Sequence, residues 1–334
     1  MGEDTYKPLS AITADDVASE AGVSRWTVAR AFKPGAPVSK RTRDRVMAAA
    51  DRLGYAPNLL AASLASDRSG LVALLVDDFE NPHRLVMIER LSRSLQGAGF
   101  VTLLLNMTDA TEALLSASQR RVDAAVMIGN GYDEDILETA LGARRLRKLI
   151  VFAREALNPE TLSIYCDDAL AMSEIATHLH NRGYQKPLFL AGPDFRSTVL
   201  GRRAAFESAW SSLGHKVPAG IASKSYGFGH AHSAMLRAWT DGERPDVVVC
   251  ENDSMAMGVM DALRSDLGLH VPTDVAVTGF DDTPTAGIPA YGLTTYRQPL
   301  MAMADALTQM LLDGSDTAMT RIALRGTFVA RSST

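Results

Sequence analysis

ITADDVASEAGVSRWTVARAF, residues 12–32, decides how the front of this chain folds. Thr13 stands where a helix N-cap belongs, and Asp16 follows three positions on, close to a capping box. Ile12, Val17, Ala18 and Ala21 form an inward stripe. Gly22 then breaks the helix, supplying the φ > 0 residue that a tight helix–helix turn wants. Ser24 caps a second helix running to about Phe32, with Val28, Ala29 and Phe32 on its buried side. Pro34, Gly35 and Pro37 end that helix. Ser39 caps a third, whose stripe is Val46, Ala49, Ala50 and Leu53. Ala18, Gly22 and Val28 have the spacing of a helix-turn-helix: a small residue where helices cross, a glycine in the turn, a β-branched lock.

In such a unit the second helix enters the major groove with its N-terminal residues at the base edges. Those residues are Arg25 and Trp26, with Arg30 one turn further along; arginine can meet guanine bidentately. Thr27, Lys40, Arg41, Thr42 and Arg43 are placed for phosphates, and the capping residues Thr13 and Ser24 belong to the same candidate surface. Trp26 has an alternative, packing on the neighbouring helix. Charge agrees with a polyanionic partner. Residues 1–70 hold ten Lys/Arg and eight Asp/Glu, and Arg25–Arg52 holds eight bases against Asp44 and Asp51, a net of +6 on a chain of −5 overall. A solvated helix face is the competing account. Next comes a short Leu/Ala-rich stretch capped by Asn58 and ending near Ser66. A helix of about eight residues is marginal alone, so it needs a second copy, DNA or both; a linker helix packed on the following domain is the alternative.

The whole chain has 334 residues, 46% apolar and 22% charged, which suits two or three globular domains and excludes a disordered or fibrous chain. No apolar run approaches the ~20 residues of a membrane span. The N-terminus has no apolar signal region, and Cys166 and Cys250 lie in apolar runs as reduced core thiols, so a cytoplasmic protein is expected. From Leu71 short apolar runs alternate with helical periodicity: strands at Leu71–Val76, Phe100–Leu105, Val122–Ile128, Lys148–Ala153, Lys186–Ala191, Pro245–Cys250 and Asp274–Gly279, and helices at Arg84–Gly97, Ala169–Arg182, Thr198–Leu213 and Ser254–Leu267. Such alternation predicts parallel sheets flanked by helices, with ligands at the carboxyl ends of the strands. Those ends carry Asp77-Asp78-Phe79, Gly129-Asn130, Ala153-Arg154, Gly192-Pro193-Asp194, Glu251-Asn252-Asp253 and Phe280-Asp281-Asp282.

Catalytic signatures are absent: no GxSxG, no P-loop, no full GxGxxG. His230 and His232, two apart, do not read as a metal site on one helix face. The paired acids read as ligand hydrogen-bonders and helix caps rather than glycosidase carboxylates. No catalytic residue, metal or cofactor is expected.

Over essentially its whole length the sequence resembles the LacI/GalR family of bacterial transcription repressors. The residues that carry the resemblance are DVA, AGVS, TVxR, VSxxTR and LGYxPN within residues 12–65, then GPDFRSTVLGRRAAF (192–206), CENDSMAMGVMDAL (250–263), DVAVTGFDD (274–282) and LTTYRQP (293–299). The resemblance implies a helix-turn-helix domain (1–57), a hinge helix and linker (58–68), and an effector-binding and dimerisation core (69–334). That core would be two Rossmann-like subdomains of the periplasmic-binding-protein kind, about 69–166 plus 296–322 and 167–295 plus 323–334. It implies a homodimer, with a tetramer as the larger alternative, on a near-palindromic operator, with Leu64 as the minor-groove wedge of the paired hinges. Effector contacts carry over to Asp281, Asn252, Arg196, Thr198, Arg202 and Tyr226. The chain departs from the family at His83 and Arg84, where an aromatic pair is common, and at Ala153-Arg154, where an aspartate is common. Arg84, Arg154, Arg196 and Arg202 with His83, set against Asp281 and Asp78, point to a sugar-derived anion. If Arg84 faces solvent and Arg154 pairs with Asp167 or Asp168, a neutral sugar fits instead. Two other classes have different requirements. A pure solute receptor needs a signal peptide and no basic helices; a sugar-processing enzyme needs a catalytic constellation.

Overall fold

The computed structural model describes residues 12–33, 35–57, 68–79, 81–132, 135–136, 146–158, 161–193, 201–313 and 321–334. The chain divides into two compact units, at Ser69/Gly70. The first holds α1 (Ala14–Ala21), α2 (Arg25–Phe32) and α3 (Lys40–Leu53). All three start on the side-chain caps read from the sequence. Thr13 and Asp16 close a reciprocal box, and Ser24 and Ser39 accept from the N–H groups of Thr27 and Thr42. Gly22 takes φ 59°, and the Val23 N–H closes the turn on the Ala18 carbonyl at 2.9 Å. Val17, Ala18, Ala21, Val28, Ala31, Val46, Ala49 and Ala50 make the core, with Phe32 and Tyr55 packed edge-on beside it. Two expected core positions differ. Ile12 precedes the cap and is 42% exposed. Ala29 is exposed while Ala31 is buried, because Ala31 stands one helical turn from Val28 and Ala29 a third of a turn around.

The second unit alternates strands and helices. Its first lobe contains β1 (Leu71–Val76), α4 (Pro82–Gly97), β2 (Val101–Asn106), α5 (Ala110–Gln119), β3 (Ala124–Ile128), β4 (Leu149–Phe152) and β5 (Leu162–Cys166). Its second contains α6 (Asp168–Asn181), β6 (Pro187–Ala191), α7 (Arg202–Ser212), β7 (Ala219–Ala222), α8 (Phe228–Thr240), β8 (Val247–Cys250), α9 (Asp253–Asp261) and β9 (Ala276–Thr278). After β10 (Thr295–Arg297) the chain returns to the first lobe for α10 (Leu300–Asp313) and β11 (Arg321–Leu324), then crosses back to β12 (Thr327–Val329), which pairs antiparallel with β10. The lobes are therefore joined at three points, near Asp167, Gln298 and Arg325.

Both main sheets are parallel, ordered β11-β5-β4-β3-β1-β2 and β7-β6-β8-β9. β1 shows why. Val72, Leu74 and Val76 face α4 and α10, while Ala73 and Leu75 face α5, so an unbroken apolar strand is buried on both sides. Cys166 and Cys250 are buried, unbonded thiols; burial pushes Cys166 up to about 12.

Five strands were not expected from the sequence: β5, β7, β10, β11 and β12. They run three to five residues, and β7 (AGIA) and β11 (RIAL) lack a long apolar run. They exist by pairing, β5, β7 and β11 with strands of the main sheets and β10 and β12 with each other. The helix expected at Thr198–Leu213 is described only from Arg202. The one expected at Ser254–Leu267 is α9 followed by a widened π turn at Ala262–Asp266.

Candidate functional site

In the helical unit α2 presents Arg25, Trp26 and Arg30 at its front. Trp26 is 76% exposed, so it does not pack on a neighbouring helix. Arg25 lies 3.6 Å from Asp15 in a solvent-exposed pair, and Arg30 donates to the Pro37 carbonyl at 2.6 Å. Lys40 and Arg41 are exposed at the start of α3. Thr13, Ser24, Thr27 and Thr42 use their hydroxyls at helix starts, Thr27 and Thr42 through the cap serines at 2.9 and 2.8 Å. Arg43, expected at a phosphate, is instead a brace: its guanidinium donates to the carbonyls of Ala31, Lys33 and Ala36 and ties the end of α2 to α3. Asn58 and Leu64 lie outside the described residues.

In the second unit, Asn81, His83, Arg84, Asn130 and Ala153 of one lobe face Arg202, Tyr226, Asn252 and Asp281 of the other, with Gln298 at a crossover. Nearly all follow the carboxyl ends of strands or open the next helix, where open parallel sheets place their ligands. The free space between them is about 30 Å³, enough for roughly two waters.

Local structure aims each group. Asp78 accepts from the Asn81 N–H at 3.2 Å, and Asn81 caps α4 through the His83 N–H at 3.0 Å. That turn carries His83 and Arg84 into the interior, 3% and 9% exposed; Asp78 itself holds the turn and does not line the cavity. Asp77 accepts from the N–H groups of Asn130 and Gly131 at 2.6 and 2.7 Å and fixes the loop after β3. Gly129 there has φ 153°, and a Cβ on it would stand 2.0 Å from the Asp77 carboxyl carbon. Two non-glycine residues of the cavity, Ala153 and Asp281, have φ of 71° and 115°. Such strain persists only where surrounding contacts over-determine it. For Asp281 those contacts are its N–H on the Tyr296 carbonyl and Gln298 Nε2 on its Oδ1, 2.8 and 2.7 Å.

Arg202 pairs with Asp168 at 3.1 Å, donates to the Glu251 carbonyl at 2.7 Å and stacks 3.7 Å above Phe280. It lines the cavity, but two of its nitrogens hold protein acceptors. Arg154 does not line the cavity: it donates to the Gly129 and Glu155 carbonyls and stacks over Tyr132. Arg84 is buried rather than solvent-facing. Asn252 caps α9 through Met255 N–H and donates to the Tyr226 carbonyl. Arg196 and Thr198 lie outside the described residues. Asn130 stands at one of the strand ends expected to meet a ligand, whereas Asn81 and Gln298 are neutral amides that charge counting passes over.

Burial lowers the pKa of His83, helped by Arg84 and Arg202 and opposed by Asp281. Burial raises the Tyr226 phenol, with the nearby Glu251 adding to it, and pushes Glu251 up to about 7 against the pull of the Gly192 N–H and Arg202. His83 Nε2, Arg84 Nε and Gln298 Oε1 are buried with no hydrogen-bond partner among the described residues. Each such atom costs about 1–3 kcal/mol unless met. His230 and His232 bond Ser225 and Asp266, and no cluster of metal-ligating side chains occurs among the described residues. No helix among the described residues is long and apolar enough to cross a membrane.

Comparison with known proteins bears on both units. Residues 13–58 match the family described as bacterial regulatory proteins, lacI family, and residues 176–334 match a periplasmic binding protein-like domain. The HTH-type transcriptional repressor PurR of Proteus mirabilis is 30% identical over 307 residues, covering 90% of this chain and 89% of its own. PurR of Escherichia coli is 31% identical over the same length and coverage. Among solved structures, the Lac repressor dimer bound to operator and an anti-inducer superposes with a TM-score of 0.87 at 23% identity, over 97% of this chain and 99% of that one. The transcriptional regulator CelR in complex with cellobiose gives 0.70 at 24% identity, over 97% and 100%.

Proposed function

Because the chain belongs to the LacI family of bacterial regulatory proteins, and is a DNA-binding transcriptional repressor with an effector-binding core, we propose that a small neutral polyhydroxylated molecule of the sugar class sets its operator affinity from the cavity between the two lobes. The observation that carries this is the set of three unpartnered buried polar atoms around one void. Arg84 Nε offers a donor, Gln298 Oε1 an acceptor, and His83 Nε2 either according to tautomer. A ligand with hydroxyl groups satisfies all three. Charge supports a neutral one. Among the described residues Arg202 is matched by Asp168, Arg84 lies 3.9 Å from Asp77, and burial disfavours a charge on His83, whose Nε2 is 3.6 Å from Asp281. Of the four arginines that favour an anion, Arg84 and Arg202 line the cavity, Arg154 does not, and Arg196 lies outside the described residues. The protein CelR is known in complex with cellobiose, which accords with this class.

The second reading, a sugar-derived monoanion, draws on one observation: the free Nε edge of Arg84 would take a carboxylate oxygen. Ligand pockets usually run to ~300–1,000 Å³, so a sugar enters only as the lobes part about their three connections. The proposed unit of action is a homodimer, each chain with residues 1–57 on DNA, 58–68 as hinge and 69–334 as the effector core, on a near-palindromic operator. Calorimetric titration with matched pairs, glucose with gluconate and galactose with galactonate among them, tests the effector. The neutral member of a binding pair should bind more tightly and change operator affinity reciprocally. A tighter acid whose advantage vanishes in Arg84→Ala overturns it in favour of the anion.

A further inference from the structure

A lone exposed apolar side chain is ordinary on a protein surface. Trp26 is informative because of where it stands. It is the second residue of α2, and Val28, on the buried side of that helix, lies about 200° around the axis from it. The core formed with α1 and α3 is on the Val28 and Ala31 side, so the indole points away from it. No described residue stacks on or hydrogen-bonds it. Arg25 and Arg30, its neighbours at the front of the helix, both touch protein groups, an exposed carboxylate and a main-chain carbonyl. Between two cationic forks, the chain presents one large flat apolar ring, 76% exposed.

The edges of the major groove are almost wholly hydrogen-bonding groups. Their one apolar feature is the thymine C5-methyl. An indole cannot satisfy the donor–acceptor pattern of a G·C pair beyond a single N–H, but it buries a methyl against its face at little side-chain entropy, having two torsions. We propose that Trp26 reads a thymine methyl in each half-site of the operator, giving that position an apolar specificity that Arg25 and Arg30 do not supply. The assignment rests on α2 being the groove-entering helix.

The test starts from an operator selected with the full-length protein from random DNA. Each thymine is then replaced in turn, symmetrically, by deoxyuridine, which removes the methyl and nothing else. At one symmetric pair of positions the wild type should lose about fourfold per half-site, roughly fifteenfold in all, from ~0.8 kcal/mol per apolar carbon. Placing 5-methylcytosine with its guanine partner at that pair should bind more tightly than unmethylated cytosine. Trp26→Ala, an exposed change expected to melt like wild type, should bind the thymine and uracil operators equally. Deoxyuridine neutral at every position overturns the proposal, as does a uracil penalty undiminished in Trp26→Ala. Arg25→Ala separates the two levels. If it shifts base preference while uracil is neutral, α2 enters the groove and Trp26 does something else there. If neither Arg25→Ala nor Trp26→Ala changes affinity or preference, α2 is not the reading helix.

Discussion

Replacing Arg202 with methionine separates a frame residue from a ligand contact. The guanidinium makes a 3.1 Å bond to Asp168, a 2.7 Å bond to the Glu251 carbonyl and a 3.7 Å stack on Phe280, and its side chain is 5% exposed. Methionine keeps most of the length and the apolar contact with Phe280, but leaves the Asp168 carboxylate buried without its cation. Breaking one side of a buried pair costs roughly 3–5 kcal/mol, whereas removing both charges is often close to neutral. With a urea slope of about 3 kcal/mol/M for a unit this size, Arg202→Met should lower the unfolding midpoint by about 1–1.7 M. Arg202→Met/Asp168→Asn should recover at least half of that. Burial already raises the Asp168 pKa against the pull of Arg202. Without the cation it rises further above its unfolded value. Such an acid contributes stability that is fully present below the unfolded pKa and lost as pH rises through the folded one. The deficit of Arg202→Met must therefore be larger at pH 8 than at pH 5. Urea unfolding followed by circular dichroism at both pH values measures it. A loss under about 1 kcal/mol, or a double variant no better than the single, refutes the frame role and returns Arg202 to the effector.

Gly129→Ala places a methyl 2.0 Å from the Asp77 carboxyl carbon; the folded core should persist by circular dichroism while effector affinity falls at least tenfold by calorimetry, as the loop bearing Asn130 shifts. Arg43→Ala frees three carbonyls at the α2–α3 junction and should destabilise the helical unit by roughly 1–3 kcal/mol in thermal melts; Lys40→Ala should leave the melt unchanged and reduce the salt slope of operator binding by about one. Glu251, pushed up to about 7 by burial, contributes stability present below its unfolded value near 4.5 and lost as pH rises through 7; Glu251→Gln should therefore flatten that part of the stability–pH curve between pH 5 and 8, and parallel curves for the two proteins would show that the carboxyl does not titrate there.

The helical unit was legible because its signals are local. A cap such as Thr13 with Asp16, a turn glycine, and a stripe such as Val46, Ala49 and Ala50 each act within a few residues, so reading them needs no tertiary knowledge. The long strands were legible for a related reason: LVALLV at β1 is buried on both faces, and such a run has few other fates. The short strands were not, because β7 and β11 become strands by pairing with residues over 30 and over 150 positions earlier in the chain.

The effector site shows where sequence reading stops and geometry takes over. Strand-end positions and the family resemblance single out His83, Arg84, Arg202, Tyr226, Asn252 and Asp281, and the fold brings these six side chains to one cavity. They did not reveal how each charge is spent. Counted along the chain, four arginines outweigh the acids and call for an anion. Folded, Arg202 meets Asp168, a helix-opening acid 34 residues earlier, and Arg154 turns to two carbonyls beside its own loop. A buried charge is so costly unpaired that the fold supplies a partner wherever one is in reach. What stays available to a ligand is the remainder after that pairing, here one edge of Arg84, a neutral imidazole, an amide oxygen and the Asp281 carboxylate. That remainder is nearly balanced in charge and mixed in donors and acceptors, which is the hydrogen-bonding pattern of a polyol.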